Sequence, residues 1–202
     1  MEPIAFTSEK GGVGKSTLAF NLAGALSLNA PTVLIDEDPI RTCWKWASRN
    51  GNLPFPVYKP DNLEAEVLEQ ARYVLVDTEG RPEFAEVLEL VERSRMVLIP
   101  SGTSGVELEA AKELVEQMRD AGADLGKVRV VITKAPPVGT VGQQARDALA
   151  EMGIPMTRAV VRHYAAHQRA NEQGVLVRDA DDPRAHVAWS DILELAMEVV
   201  GR

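Results

Sequence analysis

Cysteine is almost missing from this chain of 202 residues, with Cys43 alone. One thiol excludes an intramolecular disulfide and any metal or iron–sulfur site assembled from cysteines of a single chain. Cys43 therefore reads as a small core or surface residue, with a catalytic thiol as the alternative. Long apolar runs are missing too: no window reaches the ~18 uninterrupted apolar residues of a membrane span. The opening residues, MEPIAF, carry no basic segment ahead of an apolar stretch. No secretory signal is expected, and a soluble, cytoplasmic protein is.

Nor is there an excess of positive charge. Lys and Arg number 22 against 30 Asp and Glu, a net charge of −8. On average charge alone this speaks against nucleic acid as a partner. The average conceals an asymmetry: residues 61–126 hold 16 acids and 6 Lys or Arg, whereas residues 127–178 hold 8 Lys or Arg and 3 acids. A local basic face on an acidic protein is one reading of that split, and a solvated surface without a partner is the other.

What the chain does have is alternation. Apolar, β-branched runs at 4–8, 32–36, 55–59, 73–77, 96–100, 128–133 and 157–161 read as strands, most of them buried on both faces. Between them, apolar residues at helical spacing mark 15–28, 39–49, 62–71, 83–93, 105–121, 139–152, 163–173 and 187–200 as helices. This order predicts an α/β fold, a mostly parallel central sheet of about seven strands with helices on both faces. Gly122 closes the helix ahead of 128–133, and Pro136-Pro137 stop that strand. The one loop-like stretch, 48–56, is too short to divide domains, so residues 1–202 are expected to form one domain.

The richest local signal is TSEKGGVGKSTLAF, residues 7–20. It follows a strand and opens a helix, the context of a phosphate-binding loop. The strict pattern G-x-x-x-x-G-K-[ST] nevertheless asks for glycine where Glu9 stands. Gly11, Gly12 and Gly14 free the backbone to turn its N–H groups around phosphate oxygens, and a helix starting near Lys15 adds its positive end. Lys15 would then reach the β- and γ-phosphates, Ser16 would coordinate Mg²⁺, and Thr17 would add a phosphate contact. A glycine-rich turn without a ligand is the bland alternative. Asp36 and Asp38 in DEDP, and Asp77 in DTEG, end two further strands at the edge where open α/β sheets hold ligands. Helix capping or a strand-end turn explains each acid singly; the spacing across three strands makes the set specific.

KGGVGKST, Lys10 to Thr17, resembles the deviant Walker A loop of the ParA/MinD group of P-loop ATPases, K-G-G-x-G-K-[ST]-T, at all eight positions. In that group the place of Glu9 is free and the leading lysine is the signature. The resemblance implies ATP and Mg²⁺ as cofactors, with nucleotide held by Lys10, Gly11, Gly12, Val13, Gly14, Lys15, Ser16 and Thr17. It also implies that Lys10 reaches across a dimer interface to the partner's ATP. A second cation there suits the charge that spreads over a transferred phosphoryl group. By the same resemblance Asp38 orients the attacking water, which makes Lys10, Lys15 and Asp38 the catalytic set. Ser16, Asp36 and Asp77 form the Mg²⁺ set, and Gly80 stands where a γ-phosphate-sensing glycine sits. Lys134, in VITKAPP, stands where such proteins line the adenine. ATP rather than GTP follows from the group, since TKAP lacks the N-K-x-D guanine signature. Two features depart from the pattern: Ile40 replaces the usual Gln, and the flank of Asp77 is altered.

Iron–sulfur members of the group need paired cysteines at the dimer seam. Membrane-docking members end in a basic amphipathic helix, whereas here the last helix carries Asp191, Glu194 and Glu198. No membrane partner is expected. What remains is similar to the small ParA-type partition ATPases that lack an N-terminal operator-binding domain. That likeness implies an ATP-dependent homodimer, nonspecific DNA binding, nucleoid association, and a centromere-binding adaptor that stimulates hydrolysis. Arg158, Arg162, Arg169 and Arg178 are the candidate DNA contacts, with a solvated basic helix as the equal alternative. Arg162 lining the nucleotide pocket is another. Two further readings stay open: a ParA-like ATPase that positions a protein cargo or cell-surface complex without DNA, and a member that binds ATP but barely hydrolyses it.

Overall fold

The computed structural model describes residues 3–201. Seven strands form one sheet: β1 (Ile4–Phe6), β2 (Thr32–Asp36), β3 (Val57–Tyr58), β4 (Tyr73–Asp77), β5 (Met96–Ser101), β6 (Val128–Ala135) and β7 (Met156–Arg162). Their order is β3-β2-β4-β1-β5-β6-β7, and every pairing is parallel. Among the described residues eight α-helices accompany them, α7 and α8 after the last strand: α1 (Lys15–Leu26), α2 (Thr42–Ala47), α3 (Ala65–Gln70), α4 (Phe84–Arg93), α5 (Gly105–Asp120), α6 (Val141–Glu151), α7 (Ala165–Gln173) and α8 (Ala185–Val200). The expected α/β architecture is the observed one.

Alternation along the strands divides the core in two. Ile4, Phe6, Leu34, Leu75 and Leu98 face one side with α1, α2, α7 and α8. Their chain neighbours Ala5, Val33, Ile35, Val74, Val76, Val97 and Ile99 face the other, beneath α4, α5 and α6. Both faces are covered, which is why the strands read as continuous apolar runs. β1 lies at the centre, so the loop leaving it emerges in the middle of the sheet's carboxyl edge.

α1 is buried all round rather than on one stripe, with ten of its twelve residues buried. Phe20 is fully buried and packs edge-on against both Trp46 and Phe55, worth roughly 2–3 kcal/mol as buried apolar surface. Gly24 leaves room where a β-carbon would lie 2.4 Å from Leu176 Cδ2. The helix that carries the loop is thus clamped along its length.

Four elements are shorter than the sequence pattern suggests. β1 stops at Phe6, where the chain peels off into the loop. β3 is two residues long because Pro54 and Pro56 bring no N–H donors to the ladder. α2 begins at Thr42 rather than 39, since Asp38 Oδ1 accepts the Ile40 N–H at 2.8 Å and Arg41 takes a left-handed φ of 55°. In place of one helix over 62–71 there is a 3-10 turn at Pro60–Asn62 followed by the short α3.

At the β7 edge, α8 supplies acceptors to the outermost strand. Glu198 carboxylate oxygens accept the N–H groups of Arg158 at 3.0 Å and Ala159 at 2.7 Å, and Asp191 accepts that of Arg162 at 2.9 Å.

Candidate functional site

The glycine-rich loop turns as its sequence requires. Gly12 (φ 80°) and Gly14 (φ 94°) occupy the left-handed region, and Gly14 is the residue ahead of α1. No side chain caps α1, so its first N–H groups face the cleft at the positive end of the helix. The loop is braced from across the sheet. Thr133 Oγ1 donates at 2.7 Å to Val13 O, and Arg81 N donates at 3.1 Å to Ser8 O.

Together these residues line an open cleft of about 600 Å³ that includes Lys10 to Thr17, Asp38, Ile40, Gly80 and Lys134. Lys10 is half-buried and forms no ion pair among the described residues. The Lys15 ammonium turns down: it donates to Asp77 Oδ1 at 2.7 Å and to the Thr78 carbonyl, and lies 3.7 Å from Asp38 Oδ2. Lys134, in a left-handed conformation with φ 51°, drapes its ammonium onto the Gly12 carbonyl. Ile40, two-thirds exposed, stands at the rim.

Beneath the loop lie three carboxylates and one ammonium. Asp36 and Asp77 are Cα partners at the ends of β2 and β4, and both are fully buried. Burial pushes the Asp36 carboxyl above the usual carboxylate range, and the charges of Asp77 and Asp38 add to this against the Trp44 N–H. Asp36 Oδ2 accepts that N–H at 2.9 Å, while Asp36 Oδ1 is buried without a partner. A buried carboxylate oxygen with no donor, beside a second buried carboxylate and close to Ser16 in the first turn of α1, fits a hydrated divalent cation. Among the described residues no three His, Cys, Asp or Glu side chains gather closely enough to hold an ion alone. Such an ion would need phosphate oxygens and water to complete its shell.

A second cavity of about 250 Å³ adjoins the loop through Gly14, Thr17 and Lys134, and is also lined by Arg162, His167 and Asn171. Asn171 Nδ2 donates at 3.1 Å to Thr17 Oγ1. Burial lowers the His167 pKa to about 4 despite the nearby Asp191, leaving a neutral imidazole whose two nitrogens find no partner.

The four arginines set out as DNA contacts differ in their surroundings. Arg162 pairs with the buried Asp191 at 2.5 Å and stacks over Tyr164. Arg169 pairs with Asp182 at 3.0 Å, and Arg178 pairs with Asp179 at 3.2 Å and lies over Trp189. Arg158 is 89% exposed, with Glu198 at 4.0 Å.

Sequence reasoning read Cys43 as a core or surface thiol without a part in this site, and missed His167 and Asn171 of α7. The Cys43 thiol donates to Asp77 Oδ2 at 3.3 Å and lies 3.5 Å from the Ser16 carbonyl. Burial, with the charges of Asp77 and Asp36, pushes that thiol well up, so it stays protonated. No motif marks these residues, because they reach the site from separate elements.

Known proteins resemble this chain. The chain is 31% identical over 204 residues to Maintenance of carboxysome distribution protein A of Gloeobacter kilaueensis, covering 97% of this chain and 93% of that one. The fold superposes on the MinD cell division protein of Aquifex aeolicus with a TM-score of 0.74 at 17% identity, covering 100% of this chain and 98% of that one. It also superposes on a Borrelia burgdorferi protein described as a plasmid partition protein and solved with AMPPNP, with a TM-score of 0.70 at 18% identity over 98% and 99% of the two chains. These two likenesses speak to the fold alone. Residues 4–177 match the CobQ/CobB/MinD/ParA nucleotide binding domain, and the chain belongs to that family.

Proposed function

We propose that this protein is a Mg²⁺-dependent ATPase and dimerisation switch that positions a large cargo, cycling slowly between an ATP-bound pair and ADP-bound monomers. The observation that carries this reading is the cleft itself. A glycine loop and the uncapped start of α1 line it with Lys15 and Asp38, above the buried Asp36 and Asp77, in the nucleotide-binding family to which the chain belongs.

Each residue has a role on this reading. The loop N–H groups from Gly11 to Lys15 cradle the phosphates, and Lys15 leaves Asp77 to meet the β- and γ-phosphates. Ser16, Asp77 and Asp36 would hold Mg²⁺, which would supply charge neutralisation of the phosphates. Asp38 aligns the water whose attack yields ADP and phosphate. Lys10, without an ion pair among the described residues, reaches the nucleotide of a second copy. Cargo positioning, through an adaptor that stimulates hydrolysis, is supported by the relative named for carboxysome distribution.

Partition of DNA through sequence-blind binding is the second reading, favoured by the highly exposed Arg158. Its phosphate contacts would be salt-sensitive. Arg162, Arg169 and Arg178 would have to leave acidic partners or share them.

The test measures self-association and binding to random-sequence duplex with ATP, ADP and no nucleotide, across a salt series, for wild type and Lys10→Ala. ATP-dependent dimers lost in Lys10→Ala support the switch. Salt-sensitive duplex binding that appears only with ATP makes DNA the track; dimers without duplex binding leave positioning through a protein or surface partner. No ATP-dependent association in wild type would sink the switch.

A further inference from the structure

α2 grips two acids with two consecutive residues. The Trp44 N–H meets Asp36 Oδ2 at 2.9 Å, and the Cys43 thiol meets Asp77 Oδ2 at 3.3 Å. Asp36, Cys43 and Asp77 are each 0% exposed, and their strands run in register, so the carboxylates are neighbours across the β2–β4 pair. One short helix therefore sets how both acids point. It is itself held by the edge contact of Trp46 with Phe20, and by Gly174, whose close approach to the Trp46 carbonyl would leave a β-carbon only 2.4 Å from that oxygen.

The two oxygens of Asp77 have different futures. Oδ1 is held by Lys15, and on the reading proposed above Lys15 departs to the phosphates. Among the described residues, Oδ2 is then the one Asp77 oxygen still held by a side-chain donor. The second oxygen of Asp36 already has no partner. We propose that Cys43 is a positioning residue: its thiol fixes the Asp77 carboxylate toward the Mg²⁺ shell once Lys15 has left. A thiol suits this place because it brings one donor and fills a fully buried gap without adding a polar group that needs satisfying. Its sulfur lies 3.5 Å from the Ser16 carbonyl, so it also spaces Asp77 from the start of α1.

This inference rests on the nucleotide reading, and its test separates the two. Binding of a fluorescent ATP analogue is measured in EDTA and across a Mg²⁺ series for wild type, Cys43→Ala and Cys43→Ser. The expected result is that Cys43→Ala raises the Mg²⁺ concentration for half-maximal enhancement about three- to tenfold, the effect of one hydrogen bond. Metal-free affinity should stay unchanged, and Cys43→Ser, which keeps a donor, should return close to wild type. An unchanged Mg²⁺ response in Cys43→Ala overturns the proposal. So does a matched loss in EDTA and in Mg²⁺, which marks a packing role, or a Cys43→Ser variant as impaired as Cys43→Ala. Wild type that binds no analogue under either condition overturns the nucleotide reading beneath it.

Discussion

Lys15 and Asp77 form a closed pair, Nζ to Oδ1 at 2.7 Å, with 7% and 0% of their side chains exposed. The lysine of the glycine loop is thus held by the strand that faces it, and the buried acid has its neutraliser. On the proposed reading an arriving phosphate would compete with Asp77 for Lys15, and a cation taking over Asp77 would ease that exchange.

Lys15→Ala should be costly to the fold as well as to nucleotide binding. Removing one partner leaves a buried charge alone, which typically costs about 3–5 kcal/mol. Asp77→Asn should cost less, because Lys15 keeps Asp38 at 3.7 Å. Urea unfolding of both variants without nucleotide orders the two losses.

Asp36 makes the opposite case. Its carboxyl is raised, chiefly by burial, so ionised Asp36 weakens the nucleotide-free fold, and that weakening sets in as pH rises through its folded pKa. Asp36→Asn should therefore melt higher than wild type at neutral pH, with the gain shrinking on acidification. The same variant should respond less to Mg²⁺ when nucleotide binds. Melting curves over a pH series check the first point, and a Mg²⁺ titration checks the second.

His167 gives a second pH signature. Its pKa falls from 6.5 to about 4 on folding, so the unfolded chain takes up the proton first. Stability should drop as pH falls from about 6.5 to about 4, by up to about 3 kcal/mol. His167→Phe should flatten that part of the stability–pH curve.

How much of this was legible in sequence follows from what is local. The loop, the strand-end acids and the strand–helix order announce themselves, because each is a contiguous pattern whose physics acts over a few residues. The split of the core follows from alternation, whereas the order of the strands, with β1 between β4 and β5, was not legible in it. What stayed hidden depends on contacts between distant elements. Lys15 on Asp77, Asn171 on Thr17 and Cys43 between Ser16 and Asp77 join residues 62, 154 and 27 or 34 positions apart. Nothing in the neighbourhood of Cys43 in sequence distinguishes it from an ordinary core thiol.

Gly174 and Gly139 offer a paired test of backbone space. Both have positive φ, 69° and 90°, but a β-carbon at Gly174 would meet the Trp46 carbonyl at 2.4 Å whereas Gly139 faces open space. Gly139→Ala should cost about 1 kcal/mol, the left-handed penalty alone. Gly174→Ala should cost at least twice as much and shift α2. Thermal melts of the two variants give the comparison.

The carboxylates that α8 lends to β7 have a consequence for how copies of this protein can join. Glu198 and Asp191 occupy N–H groups on the outermost strand that would otherwise template another chain. The opposite border is only two residues long. Neither border offers a strand for a neighbour to extend, so this sheet is a finished unit. Any larger assembly would then be made by surfaces meeting face to face rather than by an added strand.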